Sequence, residues 1–258
     1  MKTIYKFLVL PVGILLLFWG CSEFPSKEDY GNPDVNRLSW LLETDNAMLI
    51  DWYIKSHEGI DLNLPEKRYC KTLLTSAIES GKYHAAQVLL ENGADPNDAY
   101  SNPLGVAVLR GTKYAEADAD NLRFVLLLLD HGAKVDVEDR NNPLPSSIQI
   151  YTRDMSCFKC LVEKGGADID KRLKWNDSIE VSLLDVAFLR RRLDIMWYMV
   201  SEANMGHRLD STCWDGHNNI MYYLRPEICT YDKENEKCRK KLWEFYERKH
   251  GLSPSNEQ

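Results

Sequence analysis

No phosphate-cradling glycine loop, no G-x-S-x-G nucleophile elbow, no H-E-x-x-H helix and no G-x-G-x-x-G dinucleotide turn occurs in the 258 residues. The six histidines are scattered, none paired with a nucleophile or set at metal-ligand spacing. Acidic pairs such as Glu116 and Asp118 read as solvated loop rather than as a catalytic dyad. These absences together argue against an enzyme. Positive charge is short as well: 32 Lys and Arg stand against 39 Asp and Glu, a formal net charge of −7. An acidic protein repels phosphate backbones and anionic head groups, which argues against nucleic acid and peripheral membrane binding and suits a basic protein partner.

One long apolar run exists, and it lies at the start. Lys2 and Lys6 precede FLVLPVGILLLFWG at 7–20, a stretch short of the about 20 apolar residues that a membrane span needs and interrupted by Pro11. It has the dimensions of a secretory signal. The following Leu17-Phe18-Trp19-Gly20-Cys21 resembles a bacterial lipobox, with Phe18 and Trp19 bulkier than the usual residues; the resemblance implies a lipidated Cys21 at the mature N-terminus, with an ordinary cleaved signal as the other reading. Ser22, where inner-membrane lipoproteins carry aspartate, points to the outer membrane. Residues 1–20 are therefore read as signal and 21–34 as a polar tether. Removing the signal costs two lysines and no acids, so the charge moves from −7 to −9.

The remainder repeats itself. LLENGADPND (89–98), LLDHGAKVDV (128–137) and LVEKGGADID (161–170) are one phrase written three times. The closing residues Asn63, Asn97, Asp136, Asp170 and Asp210 stand 34, 39, 34 and 40 apart, the spacing of stacked supersecondary units rather than of a globular core. Each unit has the same grammar. A capping Asn, Thr or Ser opens a short helix, as in Asn102-Pro103-Leu104, Asn142-Pro143-Leu144, Thr72 and Ser182. A longer helix follows, with apolar residues at helical spacing, such as Ala86, Leu89 and Leu90 or Phe124, Val125, Leu128 and Leu129. Gly93 and Gly132 then end it in the left-handed conformation.

The pattern resembles the ankyrin repeat: a turn, a TPLH-type first helix, a second helix and a G-A-D-x-N close. Residues 72–97 match without a gap, 102–136 with an insertion, 142–170 with one extra glycine, and 182–210 more loosely. Residues 38–63 read as a degenerate first unit, and 215–224 with 240–251 as the two helices of a last one. The motif's histidine is replaced by Thr75, Gly105, Pro145 and Asp185, which weakens individual units. The resemblance implies an all-α ankyrin-repeat solenoid of about five to six helix-turn-helix units over 35–251 with degenerate terminal repeats, followed by a disordered tail at 252–258. It also implies a non-enzymatic module that grips one protein partner, with no cofactor and no small-molecule substrate, and with the membrane reached only through the lipid.

The departures from the pattern carry the functional candidates. TKYAEADAD at 112–120 is an acidic insertion between the two helices of a unit, read as solvated helix ends or as an acidic lip. The 170–182 connection is longer than the family's finger and carries Lys171, Arg172, Lys174 and Trp175, residue types enriched at binding hot spots. Trp214 resembles it. By matching positions, ankyrin geometry brings Tyr69, Lys71, Glu79, Tyr100, Arg110, Asn141, Gln149, Arg190 and His217 to a concave face, while Trp197, Tyr198, Trp243 and Phe245 fall on second helices as core. Small lipoproteins with repeat folds resemble immunity proteins that neutralise type VI secretion effectors, including periplasm-acting phospholipases. They also resemble periplasmic scaffolds that assist an envelope enzyme.

Six cysteines remain beside Cys21, and an exported chain holds them in an oxidising compartment. Cys229 and Cys238 bracket the polar TYDKENEK, where a bridge closes a small loop and stabilises by roughly 2–3 kcal/mol. Cys157 and Cys160 spell C-x-x-C, but inside an expected helix rather than at a strand-to-helix turn, which reads as buried cysteines or a local bridge more than as a redox pair.

Overall fold

The computed structural model describes residues 28–98, 101–113, 118–135, 155–174, 180–211, 218–225, 227–228 and 230–251. Helices α1 (Pro33–Leu42) and α2 (Ala47–Ser56) form the first pair, α3 (Leu73–Ser80) and α4 (Tyr83–Glu91) the second, α5 (Pro103–Lys113) and α6 (Asp118–Asp130) the third. Helix α7 (Met155–Glu163) is the second helix of the fourth unit, whose first-helix residues lie outside the described ones. Helices α8 (Leu183–Leu189) and α9 (Leu193–Ser201), followed by a 3-10 turn at Met205–Asp210, make the fifth unit, and α10 (Ile220–Tyr223) with α11 (Lys233–His250) the sixth. Partners pack on one another in the first, second, third and fifth pairs, α10 packs on the 3-10 turn, and each unit packs on the next: α2 on α4, α3 on α5, α6 on α7, α7 on α9 and α9 on α11. The expected all-α solenoid of helix pairs is the fold.

The capping chemistry read from the sequence builds the helix starts. Asn32 accepts from the N–H of Asp34 ahead of α1, Thr72 from Thr75 ahead of α3, and Asn102 from Gly105 ahead of α5. The position vacated by the motif's histidine is buried in each described unit and completes the cap in a different way. Thr75 shares a hydroxyl contact of 3.2 Å with Thr72. Gly105 leaves room for the Asn102 amide, since a β-carbon there falls 2.6 Å from Asn102 Nδ2. Asp185 closes a capping box, accepting from Ser182 N at 2.7 Å and from Ser182 Oγ at 2.8 Å. These substitutes offset the weakening expected from the missing histidine.

Four segments differ from a simple reading or refine it. The described ends of the acidic insertion belong to the flanking helices, with α5 running to Lys113 and α6 starting at Asp118. The extra glycine divides two tasks. Gly166 takes φ +68, aligned with Gly93 and Gly132, while Gly165 lies where a β-carbon meets Val135 Cγ2 at 2.4 Å and the Leu161 carbonyl at 2.6 Å. The last helix begins at Lys233 rather than at 240, because Asp232 caps it by accepting from the N–H groups of Glu234 and Asn235. Part of the segment read as tether is packed: Tyr30 is 2% exposed, its hydroxyl donates to Glu28, and Lys67 pairs with Asp29 at 2.7 Å.

The core divides along the stack into two clusters, one from Tyr30 to Leu161 and one from Phe158 to Leu242. They meet on α7, where Cys157 and Leu161 belong to the first and Phe158 to the second. Tyr198 is buried on α9, and Trp197, Trp243 and Phe245 are half-buried against the second cluster, as second-helix positions require.

The spacing ruler proves to be a set of stitches between units. Asn63 Oδ1 accepts from Asp95 N at 2.7 Å, and Asn97 accepts from Lys134 N at 2.8 Å while donating to the Gly132 carbonyl at 3.0 Å. Toward the C-terminus the same position carries carboxylates. Asp170 accepts from Arg208 Nε at 2.6 Å with His207 at 3.3 Å, and Asp210 meets Lys249 and the imidazole of His250, the latter at 2.7 Å. Asp136 lies outside the described residues.

The Arg208 bond holds the Asp170 carboxyl below the usual carboxylate range. Partial burial pushes Asp210 up, but the bonds from Lys249 and His250 outweigh it and leave it lowered too. A carboxyl with a depressed folded pKa contributes stability above its unfolded value of about 3.9 and loses it as pH falls through the folded value. Asp170→Asn is therefore expected to cost under about 1 kcal/mol at pH 7, given its exposure. Urea denaturation should show that gap closing below about pH 4; a gap of the same size in acid means that shape rather than charge holds this joint.

Candidate functional site

The turn ahead of α3 is shaped by a buried acid. Glu66 is 5% exposed, and its carboxylate accepts from Arg68 N at 2.8 Å and Tyr69 N at 2.6 Å. Its own N–H donates to the Lys71 carbonyl at 2.8 Å, closing the turn from the other side. With the backbone committed inward, the side chains of 68–71 project outward. Tyr69 is 61% exposed, the Arg68 guanidinium lies 4.9 Å from its ring centroid and the Lys71 ammonium 5.7 Å, while Lys71 also pairs with Glu79 on α3. A large amphipathic ring held between two cations, on a turn fixed by buried hydrogen bonds, is a preorganised contact surface of the kind that protein interfaces favour. Cys70, a free and exposed thiol, stands on the same turn between Tyr69 and Lys71.

Of the residues assigned to partner contact, Tyr69, Lys71 and Glu79 are thus brought together. Arg190 is exposed at the end of α8, three units further along, and is not part of this cluster. Tyr100, Asn141, Gln149, Trp175, Trp214 and His217 lie outside the described residues, as do Cys21 and Cys229. For Arg110 on α5 and Lys174 only the backbone is described. Lys174 sits in β1 (Leu173–Lys174), which pairs antiparallel with β2 (Glu180–Val181) in the register Leu173 to Val181, so the described ends of the long 170–182 connection pair with each other. Position matching to the repeat does not find Arg68 and Glu66. The signal that finds them is an acid two and three residues ahead of exposed donors, the spacing of an Asx-like turn with one more methylene.

Chemistry elsewhere is sparse. Among the described residues no group of three His, Cys, Asp or Glu is placed to hold a metal. Cys157 is fully buried, and burial pushes the Cys160 thiol up, which disfavours the thiolate a redox pair needs. Cys238 lies one turn into α11 and carries a free thiol. Among the described residues no helix is long and apolar enough to cross a membrane.

No family model matches the chain. Over 91 residues, 34% of the chain, it is 34% identical to human ankyrin repeat and SOCS box protein 2, and the bovine protein of that name is 35% identical over the same length. The solenoid is ankyrin-like. The match spans 13% of each of those relatives. Bovine dynein axonemal heavy chain 12 is 34% identical over 97 residues, 37% of this chain and 25% of that protein. The shared repeat supports a protein-interaction module, and it reaches no further into what those larger proteins do as wholes.

Proposed function

We propose that this chain is a non-enzymatic binding module, lipid-anchored through Cys21 in the bacterial periplasm and more at the outer than the inner membrane, that captures one protein. Its most concrete form is an immunity protein that neutralises a periplasm-acting secreted toxin, such as a type VI secretion phospholipase, by covering its active site or membrane-docking face. The single observation that supports the binding role is the Tyr69 cluster: an exposed ring between Arg68 and Lys71 on a turn locked by buried Glu66, set on an ankyrin-like stack. The lipobox-like Leu17–Cys21 supports the location, and the irregular fingers support capture of one protein partner. Anchoring at the membrane raises the local concentration where such a toxin acts.

The test is direct. The product of a toxin gene neighbouring this one is titrated with the purified protein, and its phospholipase activity is followed. Stoichiometric loss of activity is expected, with Tyr69→Ala weakening capture at least about tenfold, as hot-spot aromatic truncations do. No capture by the wild-type chain ends the toxin reading, and co-purification with a resident envelope enzyme instead makes it a scaffold.

A further inference from the structure

We propose that the joint between the last two units carries a second, separate docking shelf, built from Leu189, Arg191, Tyr222, Arg225 and Ile228, that takes an acidic segment of a protein partner. This rests on the binding role proposed above and names the partner chemistry for one part of it.

The shelf is assembled across a unit boundary. The Arg225 guanidinium lies 5.1 Å from the Tyr222 ring centroid, and Tyr222 meets Tyr223 edge-on at 5.2 Å. Tyr223 in turn lies 6.1 Å from Phe188, the residue before Leu189 on α8. On the other flank Arg191 donates to the Thr230 carbonyl at 2.8 Å and lies 5.7 Å from the Tyr231 ring. Thr230 is two residues past Ile228, a reach of at most about 7 Å, so the two guanidiniums bracket the same short stretch of chain. Leu189, Tyr222 and Ile228 are 43%, 38% and 42% exposed, three of the six large apolar side chains left in water among the described residues.

Charge decides what fits there. Elsewhere in these units each of three arginines finds a carboxylate: Arg192 with Asp194 at 2.8 Å, Arg208 with Asp170 at 2.6 Å, Arg239 with Glu236 at 2.6 Å. Arg191 and Arg225 meet carbonyl and ring faces but no carboxylate among the described residues. Glu227, exposed between Arg225 and Ile228, pairs with neither. Both arginines are exposed, Arg191 gives Nη2 to the Thr230 carbonyl, and a guanidinium's remaining donors match a carboxylate, which it can hold bidentately. In a chain of net charge −7, two cations among exposed apolar side chains suit a short segment carrying both carboxylates and an apolar residue. A polyanion such as nucleic acid or an anionic bilayer must approach the whole acidic molecule and is repelled by it.

The experiment uses the full chain in mild detergent and a fluorescein-labelled peptide of about twelve residues bearing glutamates and leucines, with its all-glutamine counterpart. Anisotropy titration at low salt is expected to show the glutamate peptide bound at least about tenfold more tightly, the scale of a charge-assisted bidentate pair. Arg225→Gln, and more fully Arg225→Gln with Arg191→Gln, brings it down to the glutamine level, while Lys55→Gln on α2 changes nothing. Because Arg191 also ties the chain to Thr230, the Arg225→Gln single variant alone decides the outcome if the double variant loses its helical circular dichroism. Equal binding of both peptides, no effect of Arg225→Gln, or displacement of the peptide by an oligothymidine or by phosphatidylglycerol vesicles overturns the shelf. Full-strength toxin capture by the double variant also overturns it while leaving the binding role intact. Peptide discrimination without toxin capture by the wild-type chain overturns the toxin reading alone.

Discussion

Phe158→Ala is expected to lower stability by about 3–5 kcal/mol and to split one unfolding transition into two. Phe158 is fully buried on α7 and meets Tyr198 of α9 edge-on, with ring centroids 5.8 Å apart. Its neighbours Cys157 and Leu161 face the other way, into the cluster that runs back to Tyr30. A single helix is thus the plate to which two hydrophobic cores are attached. In a stack where each unit touches only its neighbours, cooperativity is the sum of such joints, so emptying one face of the plate removes the coupling while each half keeps its own core. The Tyr198 hydroxyl bond to Glu163 at 2.9 Å survives the truncation but is exposed at its carboxylate end and contributes little. Urea denaturation followed by tryptophan fluorescence, with limited proteolysis at the midpoint, reads the outcome. A single transition displaced by less than about 1 kcal/mol rules out α7 as the coupling element, since core truncations of this kind cost more. Phe158→Leu, which keeps most of the volume, should cost less and leave the transitions merged.

How far the sequence reveals such a plate depends on which interactions are local. Caps, glycine stops and helical spacing are local, and Asn32, Thr72, Asn102, Ser182 and Asp232 each do in the structure what their residue type suggests. The closing residues are legible as a ruler but not as stitches, because their partners lie 32 to 40 residues on: Asn63 reaches Asp95, and Asp210 reaches His250. That an amide there bridges to backbone while a carboxylate recruits Arg208 or Lys249 follows from donor inventory, but only once the register is known. The start of α11 goes the other way. Matching the repeat's length places it at 240, whereas the local cap Asp232 begins it at Lys233 and takes five of the eight residues of the polar insertion into the helix. Of the contact surface, Tyr69 and Lys71 are legible by position, and Arg68 is not, since its role comes from a buried Glu66 rather than from the motif. The Arg191 and Arg225 shelf has no periodic signal at all; it exists because two units place residues distant in sequence side by side.

Arg239 on α11 offers the sharper test of what closes the C-terminal end. Its side chain is 2% exposed, held by Glu236 through Nε at 2.9 Å and Nη2 at 2.6 Å, and it approaches the Leu224 carbonyl at 3.4 Å. Trp243 Nε1 donates to the same carbonyl at 3.0 Å, so the end of α10 stays satisfied if the guanidinium leaves. Glu236 keeps about a third of its side chain in water and can be resolvated. The charge pair is thus weakly leveraged, and the stem that fills the space beside Leu242 is the larger contribution. Arg239→Ala is expected to cost about 3 kcal/mol, expressed as local release of α11 in hydrogen exchange and earlier proteolysis after Lys233. Arg239→Met, which keeps the volume and buries no charge, should cost less than about 1 kcal/mol. The Arg239 bond holds the Glu236 carboxyl below its usual range, so whatever the ion pair adds is present above about pH 4 and lost as pH falls through the lowered value. Wild type and Arg239→Met should therefore converge in acid while Arg239→Ala stays apart. If Met costs as much as Ala at neutral pH and both gaps close in acid, the guanidinium's bonds rather than its stem seal the last unit.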